Sequence, residues 1–179
     1  MPETSPDPLD ARLAVLKERA RRIAREQQAA PSDQQIEILV FQLAWENYAV
    51  ETSFAREVFP LDDLTPIPCT PAFILGVINL RGELCPVIDL KRLFGLPEQG
   101  LANATSAVIL KSATMEFGIL ADVIVGVRSL ALGEIQPPPA TLTGINATFL
   151  RGVSADRTVV LDAASLLAHP MIVVNQQVE

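Results

Sequence analysis

From Ile36 onward the apolar residues gather into runs of strand length, separated by glycine, proline, asparagine and aspartate. The runs are Ile36 to Leu43, Tyr48 to Glu51, Val58 to Leu61, Phe73 to Leu80, Leu84 to Ile88, Ser106 to Lys111, Glu116 to Ala121, Val123 to Leu130, Phe149 to Val153 and Thr158 to Leu161. β-branched and aromatic residues fill them, as expected of pleated, half-buried segments, and the pattern predicts a mainly β protein with short helices. Two of those helices are placed by their caps. Asp89 precedes Leu90-Lys91-Arg92-Leu93-Phe94 with Gly95 at the end, and Asp162 precedes Ala163 to Ala168 with Pro170 beyond. The leader, residues 1–35, has a different period: Asp7-Pro8-Leu9-Asp10 is a helix start, and Leu9, Leu13, Leu16, Ala20, Ile23 and Gln27 follow at heptad spacing until Pro31. This predicts an amphipathic N-terminal helix over about residues 8–28. Three roles stay open for it: a solvated leader, a helix lying on its own body or a partner, and a membrane-surface helix, the last disfavoured because the apolar face carries no Trp or Phe.

The β region repeats itself. At a constant offset of 69, the difference between Phe117 and Tyr48, Val50 falls on Ile119, Val58 on Val127, Leu61 on Leu130 and Pro68 on Pro137. Further on, Phe73 and Gly76-Val77 match Phe149 and Gly152-Val153, and Asp89 matches Asp162. Two copies, each with about five strands, imply two small barrels over about residues 36–100 and 101–170 of a domain spanning 36–170, followed by a tail at 171–179. Single barrels of this size have small cores, so the two are expected to pack on each other. One hairpin, Asn79 to Pro86, is longer in the first copy than its counterpart in the second.

The charge is unevenly divided. Residues 1–31 hold six bases against five acids, and the remaining 148 residues hold eight bases against sixteen acids, out of a total of 14 and 21. An acidic body without a basic aromatic surface argues against nucleic acid as a partner. No segment has the run of about 18 apolar residues a membrane span needs, so direct membrane insertion is not expected and the chain reads as cytoplasmic. In that compartment Cys69 and Cys85 stay reduced, and Cys85, within a strand, reads as buried and inert. Catalytic constellations are absent. The single histidine, His169, follows the last helix and reads as solvated; no phosphate loop or nucleophile elbow occurs. Asp62-Asp63 lacks further oxygen ligands at cation-binding spacing, and Asp122, between apolar runs, reads as a turn carboxylate. No catalytic residue, cofactor site or metal site is predicted, and the chain reads as a binding protein.

The most specific stretch is Gly76-Val77-Ile78-Asn79-Leu80-Arg81-Gly82-Glu83-Leu84-Cys85-Pro86-Val87-Ile88-Asp89-Leu90. It reads as strand, tight turn and strand, placing one guanidinium between two apolar runs, with Gly82 free to take a positive φ. Such a group is either a docking contact for a carboxylate or carbonyl on another molecule or a solvated turn arginine.

Together with Tyr48-Ala49-Val50, Glu57-Val58, Thr70-Pro71-Ala72-Phe73-Ile74 and Gly118-Ile119-Leu120-Ala121-Asp122, this stretch resembles the CheW-type coupling proteins of bacterial chemotaxis, over about residues 36–169. Ala55, Phe59-Pro60 and Ala121 depart from the family's usual pattern. The resemblance implies two SH3-like five-stranded barrels and a non-catalytic adaptor. It also implies two partners, the cytoplasmic tip of methyl-accepting chemoreceptors and the regulatory domain of the chemotaxis histidine kinase, met in arrays at the inner face of the cell membrane. Carried over by position, it makes Arg81, Asn79, Gly76, Glu57 and Val58 the partner-binding candidates. The alternatives are a scaffold of the same type serving a non-flagellar pathway, such as surface motility or development, and a small-molecule-binding barrel.

Overall fold

The computed structural model describes residues 34–96, 106–138, 145–170 and 172. The helix expected at 8–28 lies outside the described residues. Among the described residues ten strands form: β1 (Gln35–Leu43), β2 (Glu46–Glu51), β3 (Ala55–Pro60), β4 (Ile74–Leu80), β5 (Glu83–Ile88), β6 (Ser106–Lys111), β7 (Glu116–Ala121), β8 (Val123–Ala131), β9 (Leu150–Val153) and β10 (Val159–Leu161). Helix α1 (Leu90–Phe94) follows β5, α2 (Ile145–Thr148) precedes β9, and α3 (Ala163–Ala168) follows β10. The predicted caps are in place. Asp89 accepts the Lys91 N–H at 2.8 Å, Asp162 accepts the Ser165 N–H at 2.9 Å, and Gly95 ends α1 in the left-handed conformation.

The strands make two five-stranded sheets, in the orders β3-β6-β7-β5-β4 (barrel 1) and β8-β1-β2-β10-β9 (barrel 2). The barrels therefore do not coincide with the segments 36–100 and 101–170. The hairpin β1–β2 leaves its own half of the chain to pair with β8 and β10, and β6–β7 does the reverse, pairing with β3 and β5. The duplication itself holds residue by residue. Leu39 pairs with Val50 as Val108 pairs with Ile119; Leu39 faces Val127 as Val108 faces Val58; and Ala49 lies beside Val160 as Gly118 lies beside Val87. Because the two copies offer a hairpin equivalent partners, the periodicity of the sequence does not distinguish pairing within a copy from exchange between copies.

Each barrel closes by the same device. After β3 the chain returns so that Thr65 and Val77 exchange hydrogen bonds of 2.9 and 2.8 Å; after β8, Gln136 and Val153 do likewise at 2.9 and 2.8 Å. A Cβ at Gly76 would collide with the Thr65 carbonyl, and one at Gly152 with the Gln136 carbonyl, so glycine at these two positions lets the closing segment approach.

The cores follow from the exchange. Ile78, Leu80, Cys85, Val87, Ala107 and Ile109 fill barrel 1, and Ile38, Val40, Ala49, Leu130 and Val160 fill barrel 2. The largest cluster lies between the barrels and includes Phe41, Val50, Phe73, Ile88, Val108, Phe117, Ile119 and Phe149, with Leu90 and Phe94 from α1 and Leu166 and Leu167 from α3. Two expectations need correcting here. His169 packs its ring edge-on against Phe149, with centroids 4.9 Å apart, and Ile172, in the predicted tail, is buried in the same cluster.

Asp122, expected as a turn carboxylate, does lie in a turn but is buried there. It sits at the corner where the chain passes from β7 in barrel 1 to β8 in barrel 2 and accepts both the Ala44 N–H at 2.7 Å and the Lys91 ammonium at 2.8 Å. Ala44 belongs to the β1–β2 turn of barrel 2 and Lys91 to α1, so one carboxylate ties three elements together. Replacing only one member of such a buried pair leaves a charge without its counterpart. Lys91→Met is expected to cost about 3 kcal/mol in urea unfolding, and a loss below about 1 kcal/mol would show that water takes the ammonium's place.

Since each barrel contains strands from both halves, the domain should unfold as one unit. In a Cys69→Ser background, labelling of the Cys85 thiol inside barrel 1 and loss of far-ultraviolet circular dichroism are expected at a single urea midpoint. Two separated midpoints would show that the barrels unfold independently.

Candidate partner-binding surface

The hairpin β4–β5 turns through Arg81 and Gly82, between the paired residues Leu80 and Glu83. Both turn residues have positive φ, 57° and 93°, the geometry of a type I′ turn, whose twist matches that of the flanking strands. Arginine is an unusual choice for the first of these positions, where Asn or Gly meets less steric resistance. Asn79 compensates by accepting the Gly82 N–H on its side-chain oxygen at 2.7 Å, which fixes the turn from below.

The Arg81 guanidinium is held rather than merely displayed. Its Nη2 lies 3.0 Å from Oε2 of Glu57, although 70% of the arginine side chain stays exposed. Glu57 is on β3 and Arg81 joins β4 to β5, so the pair bridges the two edge strands of barrel 1 across the seam where the barrel closes. The other Glu57 oxygen, Oε1, is buried without a hydrogen bond, with Arg56 Nε 3.6 Å away. Arg56 pairs in turn with Glu116, which also meets Lys111 at 3.0 Å. Partial desolvation acts to raise the Glu116 pKa, but the hydrogen bonds and charges of Lys111 and Arg56 outweigh it and hold the carboxyl below its ordinary range. A ladder of alternating charge thus links the hairpin tip to β3, β6 and β7.

Three of the five candidate residues come together at the hairpin, and Val58 follows Glu57 on β3 but faces the other side of the sheet. Asn79 shapes the turn, Arg81 and Glu57 pair, and Val58, next to Glu57, is 41% exposed. Gly76 stands apart, since its place is the barrel closure shared with Gly152. Two exposed side chains escaped sequence reasoning, Leu84 on the hairpin and Trp45 on the β1–β2 turn, each 75% exposed. Leu84 was legible: Cys85 and Val87 alternate inward, which directs Leu84 and Pro86 outward. Cys85 itself is buried, and burial pushes its thiol up to about 11, so it stays protonated and unreactive.

A family model for the CheW-like domain matches residues 37–171. The chain belongs to the CheW-like family. It is 34% identical over 146 residues to the chemotaxis protein CheW of Treponema pallidum, a match covering 78% of this chain and 86% of the relative. It is also 32% identical over 111 residues to Protein FrzA of Myxococcus xanthus, covering 62% of this chain and 69% of that one. Among solved structures, the scaffolding protein TtCheW from Thermoanaerobacter tengcongensis superposes with a TM-score of 0.64 at 33% identity, covering 74% of this chain and 86% of that one. The two SH3-like barrels are accordingly those of a CheW-type scaffold.

An ion pair as exposed as Arg81–Glu57 contributes little to folding, at most about 1 kcal/mol. Glu57→Gln should therefore leave the urea midpoint almost unchanged while freeing the guanidinium. A loss above about 2 kcal/mol would make the pair a structural clamp and not a component of a binding surface.

Proposed function

We propose that this CheW-like protein is a non-catalytic adaptor that couples chemoreceptors to a chemotaxis-type histidine kinase in arrays beneath the cell membrane, and that the β4–β5 hairpin with the edge of β3 is a contact surface for those partners. The observation that carries the assignment of the surface is the Arg81–Glu57 pair. A mostly exposed guanidinium is oriented by a carboxylate on β3, in a backbone conformation that most residues avoid, and Val58 and Leu84 on the same edge elements are exposed apolar side chains. Apolar side chains supply buried area in such a contact, while the arginine supplies orientation and a charge-assisted hydrogen bond. Glu57 keeps the guanidinium preorganised and leaves several of its donors free for a partner carbonyl or carboxylate. Among the described residues no helix is long and apolar enough to cross a membrane, and attachment through receptors accounts for an array at the membrane face.

The similarity to Protein FrzA supports a second reading, in which the same scaffold serves a different signalling pathway, for example one governing surface motility or development. Partner identity separates the two, and the surface assigned above is common to both.

The test is an Arg81→Glu variant that keeps the wild-type circular dichroism spectrum. It places two carboxylates side by side at the seam and should abolish, or weaken at least about tenfold, capture of receptor tips or of the kinase regulatory domain. Undiminished capture of both would remove the hairpin from the contact surface. Co-purification from native cells then identifies the pathway.

A further inference from the structure

The turns that close the hairpins β1–β2 and β6–β7 occupy the same place in the two copies. At the offset of 69, Leu43, Ala44, Trp45 and Glu46 match Ser112, Ala113, Thr114 and Met115, so both hairpins turn through an alanine. The two alanines nevertheless differ in conformation. Ala44 has φ 56°, in the left-handed region, whereas Ala113 does not take a positive φ. A left-handed alanine crowds its Cβ against the following carbonyl, a cost that glycine escapes. A contact from outside the turn must hold Ala44 where Ala113 does not go.

The difference lies in how each turn is capped. In β6–β7 the Ser112 hydroxyl accepts the N–H groups of Thr114 at 3.3 Å and Met115 at 3.0 Å, so the turn is held by its own first residue. Leu43 stands at that place in β1–β2, buried in the layer between the barrels and without an acceptor. The Ala44 N–H goes instead to Oδ2 of Asp122, 78 residues away, at 2.7 Å. The other oxygen of that carboxylate, Oδ1, takes the Lys91 ammonium at 2.8 Å, and the Lys91 and Asp122 side chains are 12% and 1% exposed. Neither member recurs in the other copy. The residue matching Asp122 is Ser53, at the crossing from β2 to β3, and the residue of α3 matching Lys91 is Ala164; both are exposed. Trp45, the only tryptophan of the chain, follows Ala44 and is exposed, so its placement depends on the conformation of the residue before it.

We propose that Lys91 and Asp122 form a brace that keeps the β1–β2 turn in a strained state, and that this turn has a second, relaxed state of the kind the β6–β7 turn adopts. Lys91 is carried by α1, which follows β5 of barrel 1, and the turn belongs to barrel 2, so the seating of one helix governs the shape of a turn on the other barrel. When α1 carries Lys91 away, the buried carboxylate loses its counter-charge and is no longer held against Ala44. The φ of Ala44 then returns to the ordinary region and Trp45 moves with it, while the pairing of β1 with β2 from Ile38↔Glu51 to Leu43↔Glu46 keeps the hairpin in place. The device works within the molecule and does not depend on which partners the scaffold serves.

The test is made by nuclear magnetic resonance on the full chain, labelled at alanine and tryptophan. A left-handed residue brings its amide and α protons close together, so Ala44 should show a strong Overhauser effect between them and Ala113 a weak one. Lys91→Met combined with Asp122→Ala removes both members of the pair and leaves no buried charge alone. In this double variant the Ala44 effect should fall to the Ala113 level and the Trp45 indole resonance should shift. The Ala44 amide should exchange at least about tenfold faster, as expected for loss of a hydrogen bond to a charged group. Lys91→Met alone should move the same three signals in the same direction; wild-type signals there would show that α1 has no hold on the turn and overturn the proposal. A left-handed Ala44 in the double variant would overturn it as well, since the turn would then need no brace. The strain is checked separately with the brace intact: Ala44→Gly should raise the melting temperature and Ala113→Gly should lower it. Shifts of the same sign at the two sites would show that Ala44 carries no strain and overturn the proposal, even if the double variant does not fold.

Discussion

The apolar layer between the barrels is the constraint on which the rest depends. Neither barrel interior is large, with six buried residues in one and five in the other among the described residues, whereas the cluster between them gathers the large aromatics and the helices α1 and α3. A five-stranded sheet of such short strands has too small an interior to be secure alone. The exchange of β1–β2 and β6–β7 makes each barrel a composite of both halves of the chain, so the layer is sealed by main-chain ladders as well as by packing. Buried Asp122, bound to Ala44 and Lys91, marks the point where the chain crosses from one barrel to the other.

A core secured in this way leaves the outer edges free to diverge. The closing glycines, the bulges and the aspartate N-caps of α1 and α3 recur in both copies because each answers a backbone requirement that the fold imposes twice. The seams differ in chemistry. Barrel 1 has an acid on the edge strand and a base on the hairpin, Glu57 with Arg81; barrel 2 has a base on the edge strand and an acid on the hairpin, Arg128 with Asp156. Hydrogen bonds, that from the Ser154 hydroxyl foremost, hold the Asp156 carboxyl down to about 2, so it is ionised throughout the physiological range. The interior is thus shared and rigid while the charge patterns of the two seams differ.

The five partner-binding candidates show how far a motif carries. Arg81 and Asn79 stand in the Gly76 to Leu90 string and Glu57 and Val58 in a separate one, and neither says that Arg81 and Glu57 touch. They are 24 residues apart, on elements that meet only when the sheet closes into a barrel. Gly76 belongs to the same string for a different reason, a close approach of Thr65 that no local pattern announces and that only its twin at Gly152 makes plain. Leu84 belongs to an apolar run, and alternation along β5 turns it outward.

By itself the sequence determined whatever depends on neighbours along the chain: the ten strands, the capped helices α1 and α3, the glycine turn and the internal repeat, since propensity, capping and periodicity are local. The tertiary structure decided the contacts between distant residues. The strand exchange, the burial of Asp122, the packing of His169 on Phe149 and the latch on Arg81 belong to this group. The physical reason is that a duplicated chain presents each hairpin with two nearly equivalent sets of partners. Only the closing of both barrels over a common apolar layer determines which set is used, and with it which charges meet and which remain open to another molecule.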